Sequence, residues 1–506
     1  MPSSPTRHFV LFLLLAAFAS AQTYEQRTTH YFDSIRKQPQ LLLAFLHDLP
    51  KGGDLHNHLD GALYAEDLID FAADGNLCVD RTSSRLLAPP CDPCETYTAK
   101  PAARCAYADH VLYNQMIDAW SMRNWRPGDE SGHDHFFAAF DKFGLASHTH
   151  VAEAIASAVN RAGMDHLQYL ELMHTADDGA AARLAAKVEW TSDYAKMREA
   201  LLAAGMKDVA AETSKELAAE DARAKEILKC GTPDAAPGCA VTVRYLYQVL
   251  RGLPPQVVFA QILLGFELAS SDPKFVGFNL VMPEDWYVCI HDFNQHMAMI
   301  DYLHGLYPKV HITLHAGELA MGLVPPEDLT FHIRSSVEKG HAERIGHGVS
   351  VMDEKDPNAL LHEMAERNVL VEIALTSNDI ILGVSGDDHP FPIYMKYGVP
   401  VALATDDEGV SRSDMTQEFL RAVETYHLSY ADLKRLARQS LEHSFLPGQS
   451  LWTETKLIFR TAPACAADVA NPEKPSPACA EFLTDNPRAH EQWKLETEFA
   501  GFEKKY

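Results

Sequence analysis

Leu55-His56-Asn57-His58-Leu59-Asp60-Gly61 follows Lys51-Gly52-Gly53-Asp54 in a run short enough to be a strand. On a strand, residues i and i+2 face the same side. His56 and His58 can therefore reach one point, as the first two ligands of a metal must. The chain holds 25 histidines, so a single His-x-His pair is readily a coincidence. Its meaning depends on which other side chains finish beside it.

Outward from this strand, at about 53–59, the chain alternates. Further strand candidates lie at 167–173, 240–250, 275–282, 310–314, 344–346, 369–375 and 399–404. Helical spacing of apolar residues falls at 24–47, 64–73, 108–122, 134–163, 178–229, 255–270, 284–306, 326–339, 357–367 and 390–397. The stretch 414–443 reads as two helices, and 488–504 as a last polar one. Eight strand–helix units predict a parallel sheet. Over this length they fit an α/β chain with a (β/α)8 TIM barrel; a doubly wound sheet with another strand count is the alternative. The predicted boundaries are 1–21, 22–49 for an N-terminal helical segment, 50–447 for the barrel and 448–506 for a C-terminal tail. A cysteine-bearing insertion is read at about 75–107.

Residues 1–21 pair Arg7 and His8 with the apolar run 9–18 and then Ala19-Ser20-Ala21. This is the pattern of a secretory signal cut before Gln22, with an apolar stretch too short to span a bilayer. The expectation is export, to a periplasm or the cell exterior. Cysteine usage suits an oxidising compartment. Cys230 and Cys239 bracket one short loop and Cys465 and Cys479 another, so each pair is expected to be a disulfide. Cys78, Cys91, Cys94 and Cys105 also read as disulfides, their pairing open, and Cys289 as a buried free thiol. The net charge of −26, with no basic block, argues against nucleic acid or an anionic membrane as partner.

Residues able to bind a metal or move a proton recur at predicted strand ends. His56 and His58 end strand one, His315 of Leu314-His315-Ala316-Gly317-Glu318 strand five, and His347 strand six. Ser377 and Asn378 end strand seven, and Asp406-Asp407 strand eight. The carboxyl ends of barrel strands are where such enzymes build their sites. Three histidines and an aspartate make a zinc-type set with a position left for water. A metal lowers the pKa of that water toward neutrality. A histidine left over can orient it and take its proton, and Glu318 can donate one. Two other zinc readings are weaker. Pro90-Cys91-Asp92-Pro93-Cys94 matches half of a cytidine-deaminase signature but has no upstream His-x-Glu. A two-metal barrel bridged by a modified lysine needs a lysine ending strand four, and 275–282 has none.

His-x-His-Leu-Asp-Gly, His-Ala-Gly-Glu, Gly-His-Gly, Thr-Ser-Asn and Thr-Asp-Asp, in this order across about 50–445, resemble the adenosine deaminase family. With its export pattern and cysteine insertion, the chain looks like the secreted growth-factor-related members. The resemblance implies a metal-dependent hydrolase barrel holding one Zn2+ on His56, His58, His315 and Asp406. It implies that Glu318 protonates the purine N1, that His347 positions and deprotonates water, and that Asp407 contacts N7 and helps hold the nucleophile. Asp60 would reach the ribose hydroxyl. Hydroxide would add to C6, ammonia would leave, and adenosine or 2′-deoxyadenosine would become the inosine product. The family's N3-contacting glycine aligns with Met282, and the proline that commonly follows the two aspartates is replaced by Glu408; both changes are expected to bear on substrate fit. The 24–47 region resembles N-terminal helices that form a homodimer, the alternative being a helix packed on its own barrel. A role for the insertion in receptor or glycan binding, or simply as a stapled surface loop, is left open. The competing functions are a deaminase or amidohydrolase for a modified adenine nucleoside, and a secreted binding protein on an inactive barrel. The last would show an eroded site, and every position is filled.

Overall fold

Eight parallel strands follow one another around a single sheet in chain order. They are β1 (Gly52–His58), β2 (Leu167–His174), β3 (Thr242–Leu250), β4 (Phe275–Val281), β5 (His311–Ala316), β6 (Arg344–His347), β7 (Leu370–Ile373) and β8 (Val401–Leu403). Beyond β8 the chain returns to β1: Asp406 N–H donates to His56 O at 2.9 Å, and His58 N–H donates to Asp406 O at 3.1 Å. The fold is a (β/α)8 barrel. The computed structural model describes residues 22–94, 97–128, 130–456, 458–469 and 472–506. The expected signal segment 1–21 lies outside the described residues.

Strands buried on both faces read as apolar runs, and β1, β2, β4, β6, β7 and β8 are buried throughout. The charged residues inside them are therefore exceptions with partners. Arg344 of β6 donates to Glu171 of β2 and to Glu372 of β7, each at 2.6 Å. Its guanidinium lies 3.8 Å over the Phe445 ring. This ion network ties together strands from across the barrel, and Glu372 carries it up to the histidines above.

Several connections are more divided than the sequence pattern suggests. The stretch 178–229 is three helices, Ala180–Ala185, Tyr194–Ala203 and Met206–Ile227. Asp193 caps the second by accepting from Lys196 N–H, and Gly205, at φ 112°, turns the chain into the third. The 24–47 segment breaks into Tyr24–Ile35 and Pro39–Asp48, with proline at the first helical position. The 134–163 stretch is Gly132–Ser147 and Val151–Met164, and 284–306 is Tyr287–His291 and Phe293–His304. The two N-terminal helices pack on the chain's own C-terminal helix, Pro487–Lys505, with Phe45 against Phe502 and Tyr506. That helix is tied to the barrel in turn: Glu491 accepts from Thr242 Oγ1 at 2.6 Å.

The four disulfides are Cys78–Cys91, Cys94–Cys105, Cys230–Cys239 and Cys465–Cys479, and Cys289 is free and buried. The pairing inside the insertion is thus sequential. A short ladder, Cys78–Val79 with Leu86–Leu87, lies within the insertion, and the Trp120 indole donating to Ser84 O at 2.8 Å docks it on the body. Among the described residues, no helix is long and apolar enough to cross a membrane.

Arg344→Met would leave Glu171 and Glu372 buried without their cation. Removing one partner of a buried pair costs about 3–5 kcal/mol, so the urea unfolding midpoint should fall markedly; a midpoint equal to that of the parent protein would show that the network carries no stability.

Candidate metal centre and active site

His56, His58, His315 and Asp406 converge at the carboxyl end of the barrel, with one candidate ligand atom from each all within 4.8 Å of one another. His58 Nε2 is 3.2 Å from His315 Nε2. Asp406 Oδ1 lies 3.3 Å from both His56 Nε2 and His58 Nε2. Each imidazole is fixed from behind. His56 Nδ1–H donates to Glu372 Oε2 at 2.7 Å, His58 Nδ1–H to Gln248 Oε1 at 2.8 Å, and His315 Nδ1–H to Asn279 Oδ1 at 2.8 Å. The Asn279 oxygen also accepts the His315 backbone N–H at 3.0 Å, which settles the orientation of that amide. A neutral imidazole whose Nδ1 carries the proton offers a bare lone pair at Nε2. Three such lone pairs and a carboxylate aimed at one point are the donor set of a zinc-type cation. Ser377 Oγ donates to the other Asp406 oxygen at 2.6 Å.

The field at this point favours positive charge. Burial pushes the His56 imidazole down, but its hydrogen bonds to Asp406 and Glu372 outweigh this and lift it to about 10. Space is cleared by glycines. A Cβ on Gly346 would sit 2.6 Å from the His56 ring, and one on Gly61 only 1.6 Å from Asp407 Oδ1. His347 and Asp406 hold left-handed backbone, at φ 69° and 60°. Such strain at strand ends is a common mark of built sites.

Glu318 and His347 stand beside the cluster, with His347 Nε2 3.6 Å from Glu318 Oε1. Burial, then the charges of Asp406 and Glu284, holds the Glu318 carboxyl well above the usual range, which favours its protonated form. Burial and the adjacent Asp406 likewise raise Asp407. The Glu318 loop is pinned by Glu284, whose two oxygens accept Gly317 N–H at 3.0 Å and Glu318 N–H at 2.7 Å. Glu284 in turn pairs with buried His332.

The remaining predicted residues are placed as follows. Asp60 lies at the mouth, half-buried, with His148 Nε2 3.6 Å away. Met282 has a φ of 118°, in the region that favours glycine. Ser377 and Asn378 do not end β7; the chain leaves the strand at Ala374 and they lie in the helix Leu375–Leu382. Glu408, expected to bear on substrate fit, follows Asp407 at the start of the short helix Glu408–Ser411. It is buried, and burial, then the charges of Asp54 and Asp165, raise its carboxyl well above the usual range. The sequence reading missed Glu372, Gln248, Asn279 and Glu284. The first three were visible as polar residues inside apolar strand runs, whereas nothing local distinguished Glu284.

The sequence profile of the family described as adenosine deaminase matches residues 209–453. Over this segment, just under half of its length, the chain is similar to that family. β1 with its histidine pair precedes the matched segment, and the barrel's closure brings it to the same site. The adenosine deaminase of Enterococcus faecalis is 30% identical over 185 residues, 36% of this chain and 46% of that protein. That of Mycobacterium sp. is 28% identical over 222 residues, 42% of this chain and 56% of that protein. The chain thus spans about half the length of these curated relatives. The crystal structure of arabidopsis ADAL complexed with IMP superposes with a TM-score of 0.51 at 20% identity, covering 79% of this chain and 93% of that one. At that identity the likeness is one of fold.

Gln248→Leu removes the acceptor behind His58 without touching a ligand atom. Loss of such a partner typically weakens metal binding about 10–100-fold, and competition with a chromogenic chelator would measure it. Unchanged zinc affinity would show that Gln248 does not orient the imidazole.

Proposed function

We propose that the protein is an exported, zinc-dependent purine nucleoside deaminase that hydrolyses adenosine or 2′-deoxyadenosine to the inosine product and ammonia. The observation that carries this reading is the convergence of three histidine Nε2 atoms and Asp406 beside the buried, upward-shifted carboxyl of Glu318. His56, His58, His315 and Asp406 would hold one Zn2+, which when bound supplies a Lewis acid and hydroxide near neutral pH.

The chain's own groups do the rest. Glu318 gives its proton to the purine N1 and so draws electron density from C6, where water's oxygen replaces the amino group. His347 and Asp407 orient the nucleophile, and Asp407 also faces N7. Asp60 takes the ribose hydroxyl, and the Met282 backbone lies toward N3. The buried positions of Glu318, His347 and Asp407 exclude bulk water, which strengthens each of these contacts. Export is supported by four disulfides, bonds that persist in oxidising compartments. Met282 bears a side chain where the family carries glycine, and this favours a second reading, a modified adenine nucleoside as substrate.

Loss of the adenosine ultraviolet band on incubation with zinc-loaded protein tests the main reading. No turnover of adenosine or 2′-deoxyadenosine would overturn it, and turnover only within a panel of N6-substituted nucleosides would establish the second. Glu318→Gln should retain zinc and lose about 10²–10⁴ in kcat. The donor must carry its proton, so activity is present below the raised pKa of Glu318 and is lost as pH rises through it. That alkaline limb should vanish from the residual rate of Glu318→Gln; a limb at the same pH in the variant would assign it to another group.

A further inference from the structure

The fourth histidine of the site is wired in the opposite sense from the other three. The chain of hydrogen bonds that sets it begins at a group with no ambiguity, the backbone N–H of Phe391. This N–H donates to His389 Nδ1 at 3.1 Å. A backbone amide can only donate, so His389 Nδ1 carries no proton and the ring's proton is on Nε2. That Nε2–H donates to Asn378 Oδ1 at 3.0 Å, which fixes the end of the amide that holds oxygen. Asn378 Nδ2 then faces His347 Nδ1, also at 3.0 Å, and donates to it. His347 Nδ1 is therefore an acceptor, and the ring's single proton sits on Nε2, the nitrogen beside Glu318. His389, Asn378 and His347 are at most 2% exposed, so water does not compete for these bonds.

The contrast with the ligands is one of hydrogen-bond polarity. Glu372, Gln248 and Asn279 present oxygen to Nδ1 and leave Nε2 bare. Asn378 presents N–H to Nδ1 and leaves Nε2 protonated. Of two adjacent imidazole types, one is set to bind a cation and the other to donate.

We propose that His389 is a positioning residue which, through Asn378, fixes His347 as an Nε2–H donor. In the resting enzyme His347 then has no free nitrogen with which to take a proton from water. It holds the nucleophile's oxygen by donating to it, and the same bond supports the negative charge that develops on that oxygen. This assignment rests on the proposed deaminase reading for its consequence in catalysis, but the tautomer itself does not.

The test separates the two. Imidazole 1H–15N correlation spectra of 15N-histidine-labelled protein report the tautomer directly, with the His347 signals assigned by their absence in His347→Gln. The parent protein should show His347 as Nε2–H. His389→Gln keeps a donor toward Asn378 and should preserve that tautomer and most of kcat. His389→Glu presents an acceptor instead, so the Asn378 amide turns over and His347 should switch to Nδ1–H, with kcat at least tenfold lower and KM within twofold. If that variant fails to fold, Asn378→Asp makes the same reversal one residue closer. An Nδ1–H tautomer in the parent protein, or the same tautomer in the Gln and Glu variants, would overturn the proposal. Absence of turnover on every nucleoside, with the tautomers as expected, would overturn the deaminase reading alone.

Discussion

Three imidazoles at the barrel mouth are each held by a different acceptor behind them, and that constraint organises the rest of the site. Glu372, Gln248 and Asn279 come from β7, β3 and β4, while the rings they hold come from β1 and β5. These strands run from the first to the seventh of the barrel, and all must be in register for the Nε2 atoms to meet. The metal-binding geometry is therefore a property of the closed barrel and not of any one motif. The same field that favours a cation here also raises the His56 imidazole, so the fold holds an arrangement whose favourable form includes a bound positive charge.

The link from stability to chemistry runs through Arg344. It neutralises Glu372, and Glu372 sets His56. A buried ion network is a weak device for stability in itself, but here its carboxylate has a second task. The same economy appears in the Glu318 loop, where Glu284 accepts two successive backbone N–H groups and so fixes the acid's position from below. Strained backbone at Asp406, His347 and Met282 is supported by these surroundings.

Much of this was legible in the sequence. Strand–helix alternation gave the barrel, because parallel strands buried on both faces leave apolar runs that contrast with amphipathic helices. The strand-end position of His56, His58, His315 and Asp406 followed from the same pattern. The helix break at Gly205 is hidden, since a run rich in Ala, Glu and Lys has helical composition whether or not it is continuous. Asn378 was misplaced by one structural element because the chain passes from β7 into a helix with no glycine or proline to mark the turn. The supporting residues were least legible, since their role depends on contacts between strands that are distant in sequence.

The most direct measurement is anomalous diffraction at the zinc absorption edge from crystals of the protein grown with zinc. The expected result is one strong peak, about 2.0–2.2 Å from the Nε2 atoms of His56, His58 and His315 and from an Asp406 oxygen. Diffracting crystals with no peak at that point, or with the zinc bound elsewhere, would contradict the assignment of these four residues as a metal centre.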